Sequence, residues 1–77
     1  MAVTVKLFAS LRERLGNAEL RLDLARGGDV ATVWRMVSGE PALPANVRCA
    51  VNLEYVDASH PVRDGDEVGF FPPVTGG

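Results

Sequence analysis

A single apolar stripe of helical period stands in a chain that otherwise alternates, and that asymmetry restricts the possible folds severely. Val30, Val33, Trp34 and Val37 fall at i, i+3, i+4 and i+7, with Asp29 placed as the N-cap and Gly39 as the stop. Around this stripe the period is two. In "AVTVKLFA" Val3, Val5 and Leu7 share one face while Thr4, Lys6 and Phe8 share the other, which predicts a half-buried first strand. "ELRLDLA" turns Leu20, Leu22 and Leu24 inward and Arg21 and Asp23 outward, so it is expected as the hairpin mate of the first, ended by Gly27 and Gly28. "VRCAVN" aligns Val47, Cys49 and Val51 on one side of a third strand, and Tyr55 with Val56 predicts a brief fourth. "RDGDEVGFF" begins with an Asp-Gly turn and runs into a last strand over 67–71, where two prolines, lacking amide hydrogens, must stop the ladder. One helix cannot cover both faces of a sheet. The predicted architecture is therefore α+β: a mixed sheet of four to five strands with one main helix laid across one face, a roll of ubiquitin-like type.

Between the first two strands, "SLRERLGN" carries Ser10 and Glu13 at capping-box spacing, Leu11 and Leu15 four apart, and Gly16 as a stop; a short helical turn is expected. "EPALPAN", with two prolines, reads as loop. No internal repeat and no linker interrupts the sequence, so residues 1–71 are expected to form one domain and residues 72–77 an extended, flexible tail.

The totals exclude several kinds of chemistry. A chain of 77 residues buries only about 60% of the surface its unfolded form exposes, which leaves little room for a deep active site. Its chemistry is expected to be completed inside a partner. Eight Lys and Arg against ten Asp and Glu give a net charge of −2, no footprint for a phosphate backbone, so nucleic acid is not an expected ligand. One cysteine and one histidine cannot make an internal disulfide or an ordinary zinc site, and a lone thiol fits a reducing compartment. Lys6 interrupts any apolar leader and no run approaches a membrane span, so a cytoplasmic, soluble protein is expected.

Several residue types that invite functional readings have plainer ones. Cys49, between Val47 and Val51, is expected to be a buried apolar cysteine rather than a persulfide carrier. Asp57, Ser59 and His60 are the residue types of a hydrolytic triad, but such close neighbours cannot easily converge in triad geometry, and a polar turn is expected. Trp34 is expected in the core, Arg12 and Arg14 in solvent, and Arg63, Asp64, Gly65 and Asp66 in a turn.

The sequence closes on "VGFFPPVTGG". Pro72 and Pro73 fix φ and lower the entropy lost when a segment is threaded into a channel; Gly76 and Gly77, without Cβ atoms, allow that channel to close on the backbone. Extended, residues 72–77 reach about 20 Å. With "DGDEVGFFPPVTGG", "VKLFASLRERLG" and "AVNLEYVD" in this order, the whole chain resembles the small, sulfur-carrying subunit of molybdopterin synthase, the MoaD family. The resemblance is weakest over residues 38–46.

That resemblance implies a β-grasp fold and a carrier that is no enzyme by itself. Gly77 would be the reactive residue, adenylated by an E1-like enzyme with ATP, converted to a thiocarboxylate, and used as sulfur donor to cyclic pyranopterin monophosphate. Gly76, Thr75, Val74, Pro73 and Pro72 would position it. Phe8, Tyr55 and Phe71 would form an exposed apolar patch that docks the large subunit and the activating enzyme, ordinary core packing being the alternative for each. The partners implied are the large subunit, in a heterotetramer of two small and two large subunits, and the E1-like enzyme. No cofactor or metal would be bound permanently, and two carriers would serve each dithiolene. A β-grasp carrier for thiamine, cysteine or transfer-RNA thiolation, a ubiquitin-like modifier and a plain interaction module remain as alternatives.

Overall fold

The computed structural model describes residues 1–72. Its elements are β1 (Ala2–Leu7), α1 (Ser10–Leu15), β2 (Glu19–Asp23), β3 (Gly28–Asp29), α2 (Val30–Ser38), β4 (Arg48–Val51), β5 (Glu54–Val56), β6 (Pro61–Val62) and β7 (Glu67–Phe71). Five strands form one sheet in the order β2-β1-β7-β4-β5, and β3 and β6 pair in a second, two-stranded sheet. The central β1–β7 pair is parallel, with Val5 beside Val68 and Leu7 beside Phe70; the other pairs are antiparallel. A parallel pair needs a long crossover, and here all the elements between β1 and β7 supply it. The sheet is mixed and α2 packs on one face, as the element order predicts.

Alternation along β1 buries Val3, Val5 and Leu7. They meet Val30, Val33 and Trp34 of α2, all fully buried, with Val37 half-buried at the margin. Trp34 lies against Phe70 of β7, ring centroids 5.0 Å apart and tilted by 59°. Leu20 and Leu22 are only half-buried because β2 is an edge strand, whereas Leu24 is buried.

The start of α2 is tied at three points. The Asp29 carboxylate accepts from the backbone N–H of Thr32 at 2.9 Å, while the N–H groups of Val30 and Ala31 donate to the carbonyls of His60 and Ala58. The run 57–60 is thus a polar turn, closed by the His60 N–H on the Asp57 carbonyl at 3.1 Å, that satisfies helix donors. The bond from the Thr32 N–H, and a second from its hydroxyl, hold the Asp29 carboxyl below its ordinary value. A carboxyl lowered on folding contributes stability above its unfolded value of about 3.9, and that contribution is lost as pH falls through the lower folded value. Asp29→Ala should cost about 1 kcal/mol in urea unfolding at neutral pH. Its difference from wild type should shrink in acid; a difference independent of pH would show that the carboxylate is not the cap.

Three local details depart from the sequence reading. The capping box does not form: Ala9 is the N-cap of α1, with no side-chain bond, and Ser10 is already inside the helix. Strand pairing continues to Phe8, whose N–H bonds the Phe70 carbonyl, so only Ala9 is left to turn the chain, at φ 50. Burial of Leu11 then sets the helix phase. The pairing of β3 with β6 was also not expected, since two-residue strands have no readable period; β2 already ends at Asp23, and Gly28, expected to end it, joins this ladder instead. Finally, the turn at residues 63–66 does more than reverse the chain. The Asp66 carboxylate accepts from the Arg63 N–H and from the Asn52 side chain, joining the entry of β7 to the β4–β5 turn.

Candidate functional site

The sheet face opposite α2 carries the residues expected to dock a partner. Register fixes their neighbours: Lys6 pairs with Gly69, Gly69 with Ala50 and Ala50 with Tyr55, and in the adjoining row Phe71 pairs with Arg48. Because side chains alternate along a strand, Phe70 enters the core at 0% exposure while Phe71, its neighbour, turns to the open face.

Phe8, Tyr55 and Phe71 come together there. Phe8 and Phe71 stack with centroids 4.6 Å apart and planes 18° from parallel; Tyr55 meets Phe71 edge-on at 5.8 Å. Phe8 remains 43% exposed and Tyr55 70%. With Ala50, Leu53, Glu67 and Gly69 they line a hollow of about 240 Å³. Lys6 and Glu67 form an ion pair at 3.2 Å beside it, and the Arg48 guanidinium lies 6.0 Å from the Tyr55 ring centroid. Such exposed charges add little stability. They give an apolar centre a polar rim, the usual anatomy of an interface.

The floor of the hollow explains why the rings can lie flat. A Cβ at Gly69 would sit 3.4 Å from ring carbons of both Phe8 and Phe71, and Ala50 is the small residue beside it. A Cβ alone would just make contact, so it is the added γ-carbons of Gly69→Val that should lift both rings, at an overpacking cost of about 1–3 kcal/mol. The expected result is loss of the Phe8–Phe71 nuclear Overhauser contacts with those of Trp34 and Phe70 retained; an unchanged Phe8–Phe71 stack would refute this role.

Of the tail-positioning residues, Pro72 follows β7 and is half-buried. Pro73, Val74, Thr75, Gly76 and Gly77 lie outside the described residues. Cys49 is 4% exposed, and its thiol donates to the Val56 carbonyl at 3.2 Å. Burial, and secondarily the Asp57 carboxylate, push that thiol above its ordinary value, which keeps it protonated and a poor nucleophile. Arg12 and Arg14 are exposed, and Arg14 pairs with Glu40. Among the described residues no cluster of three potential metal ligands occurs, and no helix is long and apolar enough to cross a membrane.

Leu53 and Gly69 were not legible as site residues. The signal that could have revealed Leu53 is the pair Asn52-Leu53, the whole linker between β4 and β5, where a hairpin of this length favours Asn-Gly.

The sheet order, the single covering helix and the open aromatic face define a ubiquitin-like β-grasp protein. The pattern of the ThiS family matches residues 5–77, and the chain belongs to that family. It is 68% identical, over 87 aligned positions covering 97% of this chain and 99% of the relative, to the molybdopterin synthase sulfur carrier subunit of Escherichia coli. Among solved structures it resembles a putative molybdopterin converting factor subunit 1 from Pyrococcus furiosus, with TM-score 0.79, 31% identity, and 96% and 99% of the two chains covered. It also resembles SAMP1, a small archaeal modifier protein from Haloferax volcanii, with TM-score 0.86, 26% identity and both chains covered in full.

Proposed function

We propose that this chain is the sulfur carrier subunit of a molybdopterin synthase, a donor of sulfur and not an enzyme by itself. The observation that carries the reading is the 68% identity to the Escherichia coli sulfur carrier subunit across almost the full length of both chains. The aromatic face supports it: an exposed cluster of three rings around an apolar hollow is a surface suited to being held by another protein.

The chemistry belongs to the tail. A carboxylate is a poor electrophile, so the Gly77 terminus is activated by an E1-like enzyme, which joins it to AMP from ATP with loss of pyrophosphate. A sulfur donor then displaces AMP and leaves a thiocarboxylate. Its sulfur is the nucleophile toward cyclic pyranopterin monophosphate in the active site of the large subunit, where the catalytic groups reside. Gly76 leaves space around the carbonyl, and Pro72, Pro73, Val74 and Thr75 carry it forward. Phe8, Tyr55 and Phe71 dock the large subunit and the activating enzyme, and two carriers with two large subunits complete the synthase. On this reading the protein acts in the cytoplasm.

Loading tests this reading. Incubated with the activating enzyme, ATP and a sulfur donor, the intact carrier should gain the mass difference between sulfur and oxygen, confined to the peptide containing Gly77. No gain with an enzyme that loads its own known carrier would refute it.

The likeness to SAMP1 favours one alternative, a modifier joined through Gly77 to lysines of other proteins. That reading predicts isopeptide adducts in cell extracts; the carrier reading predicts free thiocarboxylate.

A further inference from the structure

Leu53 goes against two local preferences at once. In the two-residue turn between β4 and β5 it stands at φ 72, after Asn52 at φ 50. This is a left-handed turn that favours glycine or asparagine and strains a larger side chain. It is also 90% exposed, more than Phe8, Met36 or Tyr55. Strain and exposure together mark a residue whose gain lies in a complex.

Its surroundings identify the complex. Leu53 lines the same hollow as Phe8, Ala50, Tyr55, Gly69 and Phe71. The turn is braced rather than loose: the Asn52 side chain donates to Asp66 and accepts from the Glu67 N–H, and the Asn52 N–H donates to the Glu67 carbonyl. Residues 72–77 follow Phe71 directly in sequence and would span at most about 20 Å if extended, so a protein that holds Phe71 is within range to receive Gly77. Three partly covered aromatics offer at most a few hundred Å², short of the roughly 800 Å² per partner of a stable interface. A standing subunit contact needs a wider apolar footprint than the stack provides.

We infer that Leu53 is a contact for the molybdopterin synthase large subunit, inserted into an apolar pocket of that partner and extending its grip from the Phe8–Phe71 stack to the β4–β5 turn. This rests on the docking reading above. The test is calorimetric titration of the full-length carrier, in carboxylate form, with the large subunit from the same organism, alongside urea unfolding of the carrier alone. Leu53→Gly and Leu53→Asn should both unfold at higher urea than wild type, because the turn is relieved, and both should bind at least about tenfold more weakly. Wild-type affinity in both, with Phe71→Ala weakened, overturns the role of Leu53 and leaves the docking reading intact. Wild-type affinity in all three overturns both. Weaker binding with a lower urea midpoint in both Leu53 variants would mark a structural residue and overturn the inference. So would a free carrier that sediments as a dimer, becomes a monomer in Leu53→Gly, and binds the large subunit unchanged.

Discussion

Deleting Gly77, or replacing Gly76 with valine, is expected to abolish sulfur transfer while changing the unfolding free energy by no more than about 0.5 kcal/mol. The two halves of this expectation have separate causes. Stability resides in a core whose buried apolar members run from Val3 to Phe70, with none drawn from beyond β7 among the described residues. Reactivity, on the proposed reading, belongs to the terminal carbonyl, which would be adenylated and then exposed to a substrate inside another protein. Deletion moves that carbonyl one residue short of the reaction centre, and a misplacement of even about 1 Å can cost 10²-fold in rate. A β-branched side chain at residue 76 would obstruct the narrow channel that the proposed reading requires. Turnover with wild-type large subunit and chemically prepared thiocarboxylates, read beside urea curves, checks both halves. Normal turnover in either variant would refute the role of the tail.

Phe70 and Phe71 should give opposite results although they are adjacent. Phe70 is fully buried against Trp34, and Phe70→Ala should cost about 3–5 kcal/mol. That is much of the 5–15 kcal/mol that holds a typical domain together, and a 77-residue chain belongs at the lower end. A largely unfolded protein at 37 °C is the expected result. Phe71→Ala removes a half-buried ring from the open face, so the loss of stability should be about 1 kcal/mol. Binding to the large subunit should fall by about 2 kcal/mol or more, the behaviour of an aromatic hot spot. Reversed magnitudes would mean that the face has been assigned to the wrong side of the sheet.

Much of this fold was legible because its periods are clean. β1 alternates over six residues, the stripe of α2 is bounded by a capping aspartate and a left-handed glycine, and β7 ends where prolines begin. What escaped was set by long-range pairing. Ala9 displaces Ser10 as the cap because pairing of Phe8 with Phe70 fixes where the chain must turn, and β3 and β6 exist only because they find each other. The site was legible in part. Alternation set Phe8 opposite Val3, Val5 and Leu7 and put Phe70 and Phe71 on different faces, and resemblance chose Phe8, Tyr55 and Phe71 as the patch, but only the strand order brings β1, β7 and β5 close enough for the three rings to touch. Gly69 and Leu53 were missed because their roles depend on tertiary neighbours: the rings above one, and the turn geometry of the other.

The central claim is that Gly77 carries sulfur to a pterin. The most direct measurement mixes the carrier, prepared as its Gly77 thiocarboxylate, with a competent molybdopterin synthase large subunit and cyclic pyranopterin monophosphate, and assays for the dithiolene. Product is predicted with the thiocarboxylate and none with the carboxylate form. No product from the thiocarboxylate, with a large subunit active toward its own carrier, would contradict the assignment to this pathway.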